Sequence, residues 1–237
     1  MDMKVVQLLK HQFQYEDIMI KLSNDPKITI LAAVSRNGCL GVDNTIPWKL
    51  KKDMSRFKEY TLNKPILMGA TTFESLPKLL SKRLCIVLSS YFPRVQYVID
   101  KHKELGNIVP DVVHISSLEE LYEIWPDLQT SFPDYNFDEL VICGGSTVYE
   151  QFLPFADKAL ITMVMNDYDG DTYWPESLHN FKNNKRWKLI SDEHHFDDHE
   201  NECTFHFYDF RRPVSSQVVR IQDKTEISKF YRACSTE

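Results

Sequence analysis

Asp53 is the one charge on the apolar side of a segment that reads as an amphipathic helix. When Pro47-Trp48-Lys49-Leu50-Lys51-Lys52-Asp53-Met54-Ser55-Arg56-Phe57-Lys58-Glu59-Tyr60 is wound at about 100° per residue, Leu50, Met54, Phe57 and Tyr60 share one arc. Lys51, Lys52, Ser55, Arg56, Lys58 and Glu59 fill the opposite one. An unpaired charge among apolar neighbours is costly, so this carboxylate needs a partner. Its own helix dipole would serve, because Asp53 stands in the first turn. A ligand bringing a cation or hydrogen-bond donors would serve as well, and the segment alone leaves both open.

A second segment carries a different chemistry. Leu140-Val141-Ile142-Cys143-Gly144-Gly145-Ser146-Thr147 reads as a short strand, a glycine turn and a helix start with hydroxyls. Paired glycines let a backbone approach a ligand closely, and a helix N-terminus favours phosphate. The spacing is not the G-x-G-x-x-G dinucleotide fingerprint, and a plain turn is the simpler reading. Two other clusters look like chemistry but read better as solvated turns. His194, His195, Asp197, Asp198 and His199 fall in a polar connection, and Asp167 to Asp171 lacks a calcium loop's closing glutamate. No metal site is expected.

The elements that must position these residues follow from apolar runs. Strand-length runs at 28–34, 65–68, 84–88, 95–99, 112–115, 140–143 and 159–164 alternate with helical patterns at 50–62, 72–76, 117–125 and 147–152. That order predicts an α/β domain with a mostly parallel sheet. Near the end, 187–191 and 203–210 alternate in polarity and predict an antiparallel hairpin, joined by a polar turn at 192–202. The expected division is an N-terminal extension at 1–26, a catalytic domain at 27–212 and a tail at 213–237. Short helices are expected at 13–22 and 224–231.

The bulk numbers bound the partners. A net charge of −6 argues against a broad surface for nucleic acid or anionic membrane. No apolar stretch reaches membrane-spanning length. The five cysteines are odd in number and form no C-x-x-C pair, which points to a reducing, cytoplasmic setting.

Taken together and in order, the motifs resemble those of the dihydrofolate reductase family. They comprise Ile30-Leu31-Ala32-Ala33, a loop from Gly41 ending in Pro47-Trp48, and Asp53 five residues after the Trp. Asn63-Lys64-Pro65-Ile66-Leu67-Met68-Gly69, Thr72 to Leu76, Arg83, Ser89-Ser90, Gly144-Gly145 with Tyr149-Glu150, Thr162 and Gly170-Asp171-Thr172 complete the order. The likeness runs from about residue 28 to 212. It implies the three-layer dihydrofolate-reductase-like α/β fold and reduction of 7,8-dihydrofolate by NADPH, feeding one-carbon and thymidylate synthesis. It also implies roles. Asp53, Trp48 and Thr162 would be catalytic. Leu31, Ala32, Met54, Phe57, Lys58, Leu76, Arg83 and Cys143 would join Asp53 and Thr162 around the substrate, with Lys78 near its tail. Ala33, Leu40, Gly41, Asn44, Thr45, Gly69, Thr71, Thr72, Ser89, Ser90, Gly144, Gly145, Ser146, Thr147, Val148 and Tyr149 would hold the cofactor. Residues 38–46 match the family's mobile lid.

The sequence departs from the family pattern in three places. Ala70 and Thr147 stand where many members carry arginines for the cofactor's extra phosphate, so NADH becomes an alternative unless Arg94 or a nearby lysine compensates. Cys143 replaces a larger aliphatic residue and reads as a small buried hydrophobe. The stretch 91–138 and both ends are longer than the resemblance expects. The ends are candidates for homodimer formation or for docking another protein. A related pterin or pyrimidine reductase, or a reductase-fold docking protein, remains the alternative function.

Overall fold

The computed structural model describes residues 20–21, 26–175, 186–212 and 219–220. Outside the main unit, β1 (Ile20–Lys21) pairs in parallel with β12 (Val219–Arg220). Within the helix read at 13–22, residues 20 and 21 are thus in a strand. The rest of it, and the helix read at 224–231, lie outside the described residues.

Within Lys27–Arg212 the order is β2 (Lys27–Ser35), β3 (Cys39–Gly41), α1 (Lys51–Thr61), β4 (Pro65–Gly69), α2 (Ala70–Ser75), β5 (Leu84–Leu88) and α3 (Phe92–Glu104). There follow β6 (Asp111–Ile115), α4 (Leu118–Ser131), β7 (Glu139–Ile142), α5 (Ser146–Phe152), β8 (Lys158–Val164), β9 (Thr172–Tyr173), β10 (Lys188–His195) and β11 (Phe205–Arg211). An eight-stranded sheet runs β10-β11-β8-β2-β7-β4-β5-β6. It is parallel from β8 to β6 and antiparallel at β11 and β10.

Side chains alternate along each strand, and this divides the core into two layers. Ile28, Ile30, Ala32 and Val34 of β2 pack with Leu121, Trp125 and Leu128 of α4 and with Val148, Tyr149 and Phe152 of α5. Leu31 points to the other face, where Phe73 of α2, Val95 and Val98 of α3, and Phe57 and Tyr60 of α1 gather. Helices therefore cover both faces, as expected of an α/β sheet.

Three expectations change. The run 95–99 is helical, not a strand: Val95, Val98 and His102 are the buried positions of α3 and recur at helical spacing, and Pro93 sits in its first turn. A five-residue apolar run cannot by itself distinguish the two periods. The hairpin's first strand continues to His195, so His194 and His195 belong to β10 and pair with His206 and Phe205. Helix α4 passes Pro126 and ends at Ser131, having been started by Ser117, whose hydroxyl accepts from the Glu120 N–H at 3.2 Å.

Helix α1 carries Asp53 and is tethered at both ends. Its own N-cap residue, Leu50, offers no side-chain bond. The Lys52 N–H instead donates to Asn201 Oδ1 at 3.1 Å and the Lys51 N–H to the Glu200 carbonyl at 3.3 Å. At the other end Tyr60 donates to Glu139 Oε1 at 2.5 Å, and Lys64 donates to Oε2 at 2.6 Å. Thr29 Oγ1 also donates to Glu139, and Lys158 donates to the Tyr60 hydroxyl at 3.0 Å. Burial alone would push the Glu139 carboxyl up, but the bonds from Lys64, Thr29 and Tyr60 outweigh it and hold it below its ordinary value.

Glu139→Ala should therefore lower stability by about 2–4 kcal/mol at pH 7, because it strands Lys64 and the Tyr60 hydroxyl in a shielded place. A depressed carboxyl stabilises the fold above its unfolded value and loses that contribution as pH falls. Denaturant titrations of both proteins should show the gap narrowing once pH drops below 4.5, the ordinary value for this group.

Candidate active site

The register of the sheet sets Asp53's partner. Leu31 and Ala33 of β2 and Leu160 and Thr162 of β8 point to the face that α1 covers, with Ala33 beside Thr162. Thr162 is fully buried, and its hydroxyl donates to Asp53 Oδ1 at 2.6 Å. That is the one hydrogen bond to the carboxylate among the described residues. Burial pushes the Asp53 carboxyl above its ordinary value, against the opposing pull of Thr162 and of the Arg56 guanidinium. Trp48 is buried, its ring centroid 5.2 Å from that of Tyr168, and packs with Leu50, Val164, Phe205 and Phe207 beside Ala33.

Around this pair, Leu31, Phe57, Leu76 and Cys143 belong to one apolar cluster. Met54, though on the apolar arc of α1, is 57 % exposed, so it borders the cluster without being covered. Burial pushes the Cys143 thiol up, which leaves it a protonated, unreactive group. Ala32 points through the sheet into the other layer and can meet a ligand on this side only through its main chain. Arg83 is buried and braced: Nε donates to Thr61 Oγ1 at 3.1 Å, Nη1 to the Ser81 carbonyl at 2.7 Å and Nη2 to the Lys58 carbonyl at 2.7 Å. A guanidinium has five N–H donors, so two remain to grip a carboxylate side by side. The Lys58 and Lys78 side chains are exposed.

The second half of the site is built from backbone. Gly69, Ser89 and Gly144 lie at the C-terminal ends of the parallel strands β4, β5 and β7, where open α/β sheets bind ligands. The Gly69 N–H donates to the Gly144 carbonyl at 2.8 Å. Gly144 has φ +102° and lies under the Tyr149 ring, so a Cβ there would come within 3.1 Å of it. A Cβ on Gly145 would meet Thr72 Oγ1 at 3.3 Å. The floor of the turn is thus bare main chain with Thr72 alongside, which suits a phosphate or ribose pressed close. Val148 and Tyr149 are buried, and the Tyr149 hydroxyl donates to the Leu31 carbonyl at 2.9 Å. Ser146 donates to the Tyr173 carbonyl at 2.5 Å, and Ser89 Oγ accepts from the Tyr91 N–H at 3.1 Å. Ser90, Thr71 and Thr147 are exposed.

Residues 38–46 form a small hairpin. Strand β3 pairs with β9, and Asp43 and Asn44 turn it with φ of 48° and 58°, the two positive values that a tight primed turn requires. Thr45 Oγ1 donates to the Val42 carbonyl at 2.8 Å, and the Asp43 N–H donates to Asp171 Oδ2 at 2.8 Å. Leu40 packs toward the α4–α5 layer, and Gly41 comes within 3.2 Å of closing on the Thr45 carbonyl if given a Cβ.

Two arginines stand out, Arg94, which the sequence offered as a compensating cation for the cofactor's phosphate, and Arg56, which it did not connect with the site. Arg94, at the start of α3, donates to Thr71 Oγ1 at 3.2 Å and through Nε to Glu74 Oε2 at 3.1 Å. Arg56 was assigned to the outer arc of α1 but is half-buried, its Nη1 3.4 Å from Thr162 Oγ1. Nothing in the helical wheel signals this, since it needs the neighbouring strand. Among the described residues there is no group of three or more side chains suited to hold a metal, and no helix long and apolar enough to cross a membrane.

A carboxyl whose folded value is raised costs stability once it ionises. Asp53→Asn keeps an oxygen for Thr162 to donate to and removes that charge, so its Tm should exceed that of the unaltered chain at pH 7. The sign follows from the upward shift: the difference should grow as pH rises and vanish below the ordinary carboxyl value of 3.8. Thermal melts across pH check it.

Known proteins with this arrangement are consistent in kind. A family model described as dihydrofolate reductase matches residues 27–212. The dihydrofolate reductase of Haemophilus influenzae is 32% identical over 181 residues, covering 75% of this chain and 94% of that protein. That of Buchnera aphidicola subsp. Schizaphis graminum is 33% identical over 181 residues, covering 76% and 96%. A solved dihydrofolate reductase from Enterococcus faecalis, complexed with NADP(H) and RAB-propyl, shares the fold with a TM-score of 0.56 at 23% identity. The match covers 79% of this chain and 96% of that one. With the family model spanning most of its length and relatives above 30% identity matched nearly end to end, this chain belongs to the dihydrofolate reductase family.

Proposed function

We propose that the protein reduces 7,8-dihydrofolate to 5,6,7,8-tetrahydrofolate with NADPH, supplying one-carbon and thymidylate synthesis. The observation that carries this reading is the shielded Asp53 carboxylate with a single protein donor among the described residues, Thr162. A half-buried carboxylate with unused acceptor capacity is complementary to the amidine edge of a pterin, which presents two N–H groups side by side. Each charge-assisted bond of that kind contributes roughly 1.5–3 kcal/mol. Thr162, donating to Asp53 and accepting from Arg56, turns its remaining lone pair toward the same edge. Trp48 steadies a water near the carboxylate. Leu31, Phe57, Leu76 and the exposed Met54 wall the rings, and Arg83, already braced by three bonds, holds the carboxylate of the substrate's tail.

The glycine turn fits a dinucleotide, because Gly144, Gly145 and Gly69 leave the main chain open where Thr72 waits. NADPH, when bound there, supplies the hydride to the pterin carbon beside the ring nitrogen that takes a proton. The chain's own part is to hold the two rings in contact and exclude water. The hairpin at 38–46, which the Asp43–Asp171 bond ties down, closes over that contact. The reaction runs in the cytoplasm, in keeping with four described cysteines that are all free thiols. The ends, which meet in the β1–β12 pair, offer a place for self-association or a protein partner. Sizing chromatography of the full chain reads that out.

Loss of NADPH absorbance on adding dihydrofolate tests the reaction. Asp53→Asn should cut turnover at pH 7 by at least about a hundredfold, with partial recovery in acid, where the substrate arrives protonated. No turnover by the unaltered chain overturns the reading and favours a related pterin or pyrimidine as substrate; an unaffected variant removes Asp53 from the mechanism.

Cofactor choice is the second test. Ala70 and Thr147 put no cation at the phosphate end, and Arg94 shares its charge with Glu74. The preference for NADPH over NADH, measured as a ratio of kcat/KM, should therefore stay below about a thousandfold. Arg94→Ala should reduce it by roughly another tenfold.

A further inference from the structure

Arg56 follows Asp53 by three residues, which makes the two side chains neighbours on α1. The sheet beneath explains where the guanidinium goes. Ala33, Thr162, Phe207 and Glu193 lie side by side across β2, β8, β11 and β10. Asp53 sits over Thr162, and Arg56 sits over the next residue of that row. Its guanidinium carbon is 4.2 Å from the Phe207 ring centroid, and Nη1 is 3.4 Å from Thr162 Oγ1. The Thr162 hydroxyl donates to Asp53 at 2.6 Å and accepts from Arg56 with one lone pair. One hydroxyl thus links an acid on its ligand side to a cation behind it.

We propose that Arg56 is the positioning residue for Asp53: acting through Thr162 it keeps the carboxylate ionised and aimed at the pterin, and so sets the pH range over which the site works. The inference rests on the pterin-binding reading of Asp53 for its functional half. The charges that face Arg56 come from three elements. On α1 these are Asp53 and Tyr60, on β11 Asp209, and on β10 Glu193, with His195 of β10 and Lys52 of α1 also close by. Asp209 is already held by two bonds from Arg211, at 2.9 and 3.0 Å. The Glu193 side chain is 66% exposed and screened by water. Asp53 is therefore the shielded anion left for Arg56 to act on, and among the described residues Arg56 is the one cation that pulls its carboxyl down. A guanidinium suits the place better than an ammonium. It stays charged when partly dehydrated and lies flat on an aromatic ring.

The test uses the full chain without ligand and ¹³C NMR of aspartate carboxyls, with Asp53→Asn to assign the signal. Removing a nearby positive charge must raise the carboxyl midpoint, so Arg56→Met should move it up by about one pH unit. Arg56→Gln keeps a donor for Thr162 but no charge. It should do the same, and it stands in if the methionine variant does not fold. Arg56→Lys should restore at least half of the shift. In steady-state assays the acid limb of kcat/KM for dihydrofolate, which reports the free enzyme, should move up in step. A merely structural role would lower activity at every pH and leave the limb where it was. An unmoved or lowered carboxyl midpoint in the neutral variants overturns the inference, even if activity falls. If the unaltered chain reduces no dihydrofolate, the functional reading fails separately, and the carboxyl titration still decides whether Arg56 governs Asp53.

Discussion

A half-buried carboxylate with less than its full complement of donors is the constraint around which this protein is built. Such a group is unstable in isolation, and the rest of the domain can be read as what makes it tolerable. Thr162 supplies one donor and Arg56 a compensating charge, while β8 and β11 fix both against α1. Neither compensation is complete, since burial still lifts the carboxyl above its ordinary value. In the proposed reading the shortfall is what a ligand with two adjacent N–H groups makes up, so the same physics that lifts the carboxyl gives the site its selectivity.

Parallel strands explain how one sheet holds two unlike half-sites. The acid lies over the middle of β8, on a side-chain surface, and its surroundings are apolar. The glycine turn lies at the C-terminal ends of β4 and β7, where the strands stop and main-chain groups face outward. Leu31 joins the halves. Its side chain belongs to the cluster near Asp53, and its carbonyl accepts from Tyr149, which covers Gly144. A shift in either half is felt through one residue of β2.

Much of this was legible in the residues. The parallel sheet followed from strand-length runs separated by helical ones. Asp53 stood out because helical spacing put a charge among Leu50, Phe57 and Tyr60, and the glycine pair because strand, turn and hydroxyl-rich helix came in sequence. What failed did so for identifiable reasons. The run at 95–99 is too short for its period to show, and only the buried spacing of Val95, Val98 and His102 reveals a helix. The histidines of 194–195 looked like a solvated turn because β10 is exposed along most of its length and so lacks a buried alternation. Arg56 was beyond reach in a different way. A helical wheel knows one helix, and Arg56 is drawn inward by Phe207 and Thr162, residues more than a hundred positions away that arrive beside it only through strand register.

Two carboxylates at opposite ends of α1 show how the fold divides the work of holding and the work of binding. Glu139 receives donors from Thr29, Tyr60 and Lys64, and its carboxyl is held down. Asp53 receives one donor, and its carboxyl is pushed up. Both are shielded, and donor count separates them. The saturated acid pins the C-terminal end of the helix to the starts of β2 and β7, and Asn201 ties the other end across the chain. A helix so anchored can carry an undersatisfied acid in its first turn without swinging it out to water, which an isolated eleven-residue helix could not do. Stability at one end of α1 is thus the physical condition for the role proposed for Asp53 at the other.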